Sequence, residues 1–220
     1  MALSDLPAPR TQVQRRAESE AALLGAAAAL VAERGIERAS LASIGERAGS
    51  SRGLPTHHFG SKDALVARLA RRAQDGVAAA TYAAFEQRQL SRADAPALAV
   101  LRVTVDAYLE LFEHPTAEAR ALIVMWGATF PSEAAVEGML DAQRNAYTGW
   151  ADTIRQGQRD GSIRQDVDPT TAAVVLFGLT RGVAALLMTD SDLTDMANVR
   201  RTCDDWITQA LAPPPAAPAK

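Results

Sequence analysis

Residues 40–59 read SLASIGERAGSSRGLPTHHF, with Gly60-Ser61-Lys62-Asp63 directly behind. Ser40 is suited to cap a helix, because its hydroxyl can accept from an unpaired first-turn N–H. Leu41, Ile44 and Ala48 then fall on one face of a short helix. Gly49 permits a sharp turn, and Ser50 or Ser51 can cap the next helix. That helix carries Arg52, Leu54, Thr56, His57 and His58. Pro55 must lie in or just after its first turn, since deeper in it would remove a backbone hydrogen bond and clash; a start near Ser51 satisfies this. Two short helices joined by a tight turn, the second with a polar tip, make a helix-turn-helix, whose second helix can enter a DNA major groove.

Outward from this stretch, residues 10–34 read as a helix with Leu23, Ala27, Leu30 and Val31 on its apolar face, ended by Gly35. Phe59 and Leu65 can close a small core over Leu30 and Ile44. Ser61 caps a long helix through about Arg88. The rest is helical too. Asp94-Ala95-Pro96 starts a helix that His114-Pro115 breaks. Residues 122–130 are apolar nearly all round, so they are expected to be central. A long helix follows Pro131 and stops at Asp160-Gly161; another opens at Asp168-Pro169; a last one carries Met196 to Leu211. The expected organisation is a tail (1–9), a helix-turn-helix DNA-binding domain (10–72), a helical regulatory and dimerisation domain (73–212), and a disordered Pro/Ala tail (213–220). The fold class is all-α.

Charge supports the division. The 220 residues carry a net charge of −3, which by itself argues against DNA binding. Residues 1–72, however, hold eleven Lys/Arg against seven Asp/Glu, and residues 73–220 hold twelve against nineteen. A basic head on an acidic body fits a local nucleic-acid footprint. The N-terminus lacks a signal-peptide core, and Cys203 has no disulfide partner, so a cytoplasmic protein is expected. Residues 170–188 nearly reach membrane-spanning length, but Arg181 near the middle favours a buried helix and no membrane partner.

The pattern resembles the TetR family of transcriptional regulators. The likeness rests on Gly35, Ser40, Ile44, Ala48, Gly49, Ser51, Arg52, Gly53, His57, Phe59, Lys62, Asp63 and Leu65, and covers roughly residues 17–77. It implies an N-terminal three-helix DNA-binding domain and a C-terminal helical ligand-binding and dimerisation domain. The DNA-contact set so implied is Ser40, Ser51, Arg52, Gly53, Leu54, Pro55, Thr56, His57, His58 and Lys62. Arg52 can donate twice to guanine O6 and N7. Ser40 and Lys62 sit at helix starts that favour phosphate. Adjacent His57 and His58 point about 100° apart on a helix, so no metal site is expected. The chain departs from the family where Leu54-Pro55-Thr56 replaces the usual Thr-Leu-Tyr, removing an aromatic phosphate contact, and where Ser43 stands in place of a capping-box acid or amide.

In the body, Met125, Trp126, Thr129, Phe130, Gln143, Tyr147, Trp150, Phe177 and Arg181 are candidate lining for a small-molecule pocket, being aromatics with a few polar groups. Such stripes are more often plain core. Gln143 and Arg181 are the informative ones, because a polar group on an apolar stripe needs a partner. Gly178, Gly182 and Ala185 permit close helix approach. With Val199, Cys203 and Trp206 they suggest a four-helix interface between two copies. No nucleophile–base pair, phosphate loop or metal triad is present, so no cofactor and no enzyme activity are expected.

The expected function is a homodimeric, sequence-specific repressor of palindromic double-stranded operator DNA, released by a small hydrophobic or aromatic effector. A ligand-independent or architectural DNA-binding protein is the alternative. A helical enzyme with an idle head is a weaker one.

Overall fold

The computed structural model describes residues 11–128, 133–189 and 195–214, and all the regular structure among them is helical. The helices are α1 (Gln12–Arg38), α2 (Leu41–Arg47), α3 (Leu54–Phe59), α4 (Lys62–Gln87), α5 (Ala97–Leu111), α6 (Ala117–Trp126), α7 (Glu133–Asp160), α8 (Pro169–Thr189) and α9 (Met196–Leu211). Their ends follow the local chemistry. Thr11, Ser40, Ser61, Thr116 and Asp195 each cap the helix that follows with a side-chain oxygen. Gly35, at φ +80°, kinks α1 close to its end, and Gly161, at φ +78°, follows α7. Both occupy the left-handed region where a Cβ is unfavourable.

Two expectations at the helix-turn-helix are corrected. Helix α3 begins at Leu54, and its N-cap is Gly53 with no side-chain cap; neither Ser50 nor Ser51 caps it. Ser50 Oγ instead donates to the Gly45 carbonyl at 3.0 Å. Pro55 occupies the second position of the helix, where its missing N–H costs nothing. Ser43 does complete a capping box: its Oγ accepts the Ser40 N–H at 3.1 Å, while Ser40 Oγ accepts the Ser43 N–H at 3.1 Å. A hydroxyl performs the task expected of a longer acid or amide.

There are two cores. The first joins α1, α2 and the start of α4 through Leu23, Leu30, Val31, Ile44, Leu65 and Leu69, with Leu54 and Phe59 of α3 packed against it. Helix α6 belongs to it as well, through Ala121, Leu122 and Met125. The second core lies among α5, α7, α8 and α9, around Leu101, Leu109, Ile154, Ala184 and Ile207. Helix α6 therefore bridges the two, resting on α1 and α4 and reaching α8. Arg72 of α4 and Glu118 of α6 add an ion pair at 3.4 Å.

Helix α8 is long and apolar enough to cross a membrane by length and composition, yet a third of its most apolar window is buried (33%). The expectation of a buried helix holds for one face only. Val174, Val175 and Leu186 are exposed on the other, alongside Gly178 and Gly182.

Candidate DNA-contact face and effector cavity

The short α3 lies close against α2 because α2 carries no side chain at Gly45. A Cβ on Gly45 would lie 2.6 Å from the Ser51 carbonyl oxygen and 3.2 Å from Pro55 Cδ. Only glycine permits that approach. Gly49, at φ +67°, then turns the chain. The sequence marked Gly49 as a turn and overlooked Gly45, although a glycine inside a seven-residue helix is the signal of a close neighbour. Gly53 has negative φ and open space around it, so its role is not steric.

The expected contact residues separate into two groups. Ser40, Ser51, Arg52, Gly53, Thr56 and His57 are exposed. Arg52 pairs with Glu46 of α2, both side chains largely in solvent. The others face inward. Pro55 is buried against α2, and Leu54 packs on the head core, so both anchor the helix instead of reaching outward. His58 is half-buried with its Nε2 3.3 Å from Ser19 Oγ. Lys62 Nζ donates to the Glu37 carbonyl at 3.2 Å, closing the end of α1.

In the body, a cavity of about 670 Å³ opens between α4, α5, α6, α7 and α8. That is ample for a small organic molecule. Leu101, Leu122, Trp150 and Phe177 supply apolar wall, and Thr104, Tyr108, Trp126 and Asn145 supply polar groups. Arg71, Asp75, Arg92 and Asp141 also line it and are exposed, so they mark the mouth.

Of the candidate pocket residues, Trp126, Trp150 and Phe177 line this cavity. The Phe177 ring stands perpendicular to Trp150 at 5.6 Å and edge-on to Tyr147 at 6.4 Å. Tyr147 thus supports the wall from behind. Met125 is fully buried in the head core and does not reach the cavity, and Gln143 is half-buried but does not line it. Thr129 and Phe130 lie outside the described residues. Arg181 stacks its guanidinium 3.4 Å over the Trp126 ring and 4.6 Å from Phe177. Burial pulls its pKa down to about 10, partly offset by the neighbouring Tyr108; it remains charged at neutral pH. Burial also pushes the Tyr108 hydroxyl well above its ordinary value. Thr104 and Tyr108 went unrecognised because they sit among Leu101, Val105 and Leu109, where they read as core. A hydroxyl on an apolar stripe was the same signal that marked Arg181.

At the expected interface, Gly178 and Gly182 are exposed, and a Cβ on either would meet nothing within 4 Å. The chain's own packing gives no reason for glycine there. Trp206 is exposed, Val199 and Ala185 are half-buried, but Cys203 is buried in the body core. Cys203 is covered by its own chain, and burial pushes its thiol pKa up. It is a small packed hydrophobe.

Comparison with known proteins agrees with this geometry. Residues 23–69 match the family model for bacterial regulatory proteins of the tetR family, and residues 96–212 match that for the C-terminal region of BetI-type transcriptional repressors. The HTH-type transcriptional repressor KstR2 of Mycobacterium tuberculosis is 31% identical over 149 residues, covering 66% of this chain and 70% of that protein. Among solved structures, a TetR-family regulator from Rhodococcus superposes with a TM-score of 0.74 at 22% identity, over 89% of this chain and all (100%) of the other. SmeT, the repressor of the Stenotrophomonas maltophilia multidrug efflux pump SmeDEF, gives 0.71 at 21% identity, over 91% and 96%. SmeT is also known in complex with triclosan.

Proposed function

Since the chain belongs to the TetR family of bacterial regulatory proteins and is a DNA-binding transcriptional repressor by that kinship, we propose that it acts as a cytoplasmic homodimer released from a palindromic operator by a small, largely apolar effector. The observation that carries this reading is the position of the cavity. It lies between α4, which leads directly back to the helix-turn-helix, and α6, which rests on α1. Leu122 belongs to the head core and lines the cavity as well. A molecule pressing on α4 and α6 therefore presses on the support of α3.

Two copies related by a two-fold axis would set their α3 helices into successive major grooves, about 34 Å apart. An effector that binds better to a conformation with altered spacing would release DNA. Coupling of about 1–3 kcal/mol changes affinity roughly 5–150-fold. The pairing of two copies would use the exposed face of α8 (Val174, Val175, Gly178, Gly182, Leu186) with Trp206 of α9. The SmeT–triclosan complex supports a small aromatic molecule as one kind of effector on this fold. A cavity of this size also favours ligand control over a purely architectural role.

The test is selection of genomic fragments by the purified protein, followed by titration of small molecules into the complex. One enriched palindrome, released by a compound that binds the protein, is the expected result. Enrichment without any palindrome would overturn the dimeric operator reading.

A further inference from the structure

Two residues that line the cavity, and the arginine stacked on its Trp126–Phe177 wall, carry buried hydrogen-bond donors that have no partner among the described residues. Arg181 Nε and Nη2, Trp126 Nε1 and the Tyr108 hydroxyl are all buried without a hydrogen-bond partner. Tyr108 is only 5% exposed and lines the cavity, as does Trp126. Tyr108 and Arg181 are close enough for each to influence the other's ionisation. An unmade hydrogen bond on a buried donor is unfavourable, and on a charged one more so. So the cluster is shaped for an acceptor.

The identity of the two arginine nitrogens says which acceptor. Nε and Nη2 form one edge of the guanidinium, with two parallel N–H bonds. Elsewhere in this chain that edge holds the two oxygens of one carboxyl group in Arg102 on Asp204, Arg164 on Asp166 and Arg200 on Asp106, and a single amide oxygen in Arg159 on Gln156. Arg181 presents the same edge empty. The planar fork matches a carboxylate in geometry and charge. A phosphate dianion would bring a second charge and further oxygens that one guanidinium cannot serve. The charged lining residues, Arg71, Asp75, Arg92 and Asp141, are exposed and of balanced sign, whereas Arg181, against Trp126 and Phe177 of the wall, has its Nε and Nη2 buried.

We propose that the effector is an apolar carboxylate, its two oxygens on the Arg181 fork with the Tyr108 hydroxyl and Trp126 N–H as further donors, and its hydrocarbon body along Leu101, Leu122, Trp150 and Phe177. This rests on the reading of the cavity as the effector site, and specifies its chemistry.

The test titrates the full chain with dodecanoate, 4-phenylbutanoate and deoxycholate, each against its methyl ester, by calorimetry and tryptophan fluorescence. At least one acid is expected to bind about 10- to 100-fold more tightly than its ester, the worth of a charged hydrogen-bonded pair. Arg181→Met should abolish that preference while leaving ester affinity within about threefold. Tyr108→Phe, which removes only an unpaired hydroxyl and should fold whatever Arg181→Met does, should reduce the preference several-fold. Acids that bind no better than their esters, acids that do not bind at all, or a preference that survives in Arg181→Met would each overturn the proposal. Operator release is scored separately. An acid that binds by this fork yet leaves the DNA complex intact upholds the carboxylate seat and defeats effector release. A neutral ester that releases DNA as well as its acid does the reverse.

Discussion

Arg52 illustrates how a proposed contact residue is held ready without being committed. Its partner Glu46 is half in solvent, and an exposed pair of this kind contributes about 0–1 kcal/mol. Exchange of Glu46 for a guanine edge therefore costs little. Arg52→Ala should weaken binding to the cognate operator about 10- to 100-fold and leave random duplex nearly unchanged. Equal losses on both, in fluorescence anisotropy, would show that Arg52 touches only phosphate. Lys62 differs, because its ammonium already closes the end of α1 on the Glu37 carbonyl. Gly45 is the complementary case, a residue that matters for what it lacks. In Gly45→Ala the new Cβ would meet backbone at 2.6 Å, so α3 must shift. A cost of about 1–3 kcal/mol follows, lowering Tm by several degrees, with binding to all DNA impaired together. An unchanged melting curve would mean that α3 is not seated as described. Arg181 reverses the sign. Its unpaired donors cost about 1–3 kcal/mol, against a stacking gain of about 0.5–2 kcal/mol on Trp126. Arg181→Met should therefore raise the Tm of the ligand-free protein by about 2–4 °C, and a fall would show that the guanidinium is satisfied there. At this scale the sequence revealed the exposed tip of α3, since polar residues after a turn have few structural uses. It could not separate Pro55 and His58 from that tip, because on six residues one register step decides which side chains face inward.

At the scale of elements, ion pairs tie α9 to the body. Arg200 of α9 donates to Asp106, Glu110 and Glu113 along the end of α5, and Arg88, just past α4, reaches Asp106 as well. Burial alone would raise the pKa of Asp106; the hydrogen bonds and charge of Arg200, with those of Arg88, outweigh this and hold it below the usual carboxylate range. The folded protein thus prefers the ionised form. Its stabilisation is complete above the unfolded value of about 3.9 and is lost as pH falls through the lower folded value. Asp106→Asn should cost about 1–2 kcal/mol at pH 7, since the network is only partly exposed, and the gap to the parent should close as pH falls below the unfolded value of about 3.9. A gap independent of pH would remove the charge from the argument. The helices themselves were legible, because Ser, Thr, Asp, Gly and Pro at their ends have few other uses. Their pairing was not: nothing in a run such as ANVRRTC names Asp106, some hundred residues away, as the partner of Arg200.

At the scale of the molecule, the two-part plan and the uneven charge were readable in the chain, whereas the cavity was only half so. Its aromatic wall follows from the spacing of Trp150 and the likes of Phe177, but Gln74, Asp75 and Arg71 of α4 read as a solvated face until that helix is seen to run along the opening. The surface of α8 poses the opposite problem. It looked like buried core, and in one chain it is bare. Val174, Val175 and Leu186 are each more than half exposed, as is Trp206 nearby. Exposed apolar patches of this kind mark interaction sites. Gly178 and Gly182 lie one turn apart within that face, with open space beside them. Since the chain itself has no use for two missing side chains there, the proposed pairing, with a second α8 crossing closely at this point, would account for them. Leucine at both positions would hold two helices apart by the width of a side chain while leaving the monomer's own packing untouched. The double variant Gly178→Leu/Gly182→Leu should therefore melt as the parent chain does when dilute, yet sediment at single-chain mass. It should still bind effector, because its cavity is built within one chain. It should also lose operator affinity by orders of magnitude, because one α3 reads only half a palindrome. A variant that remains dimeric by light scattering would move the interface elsewhere on the molecule, and with it the spacing of the two heads.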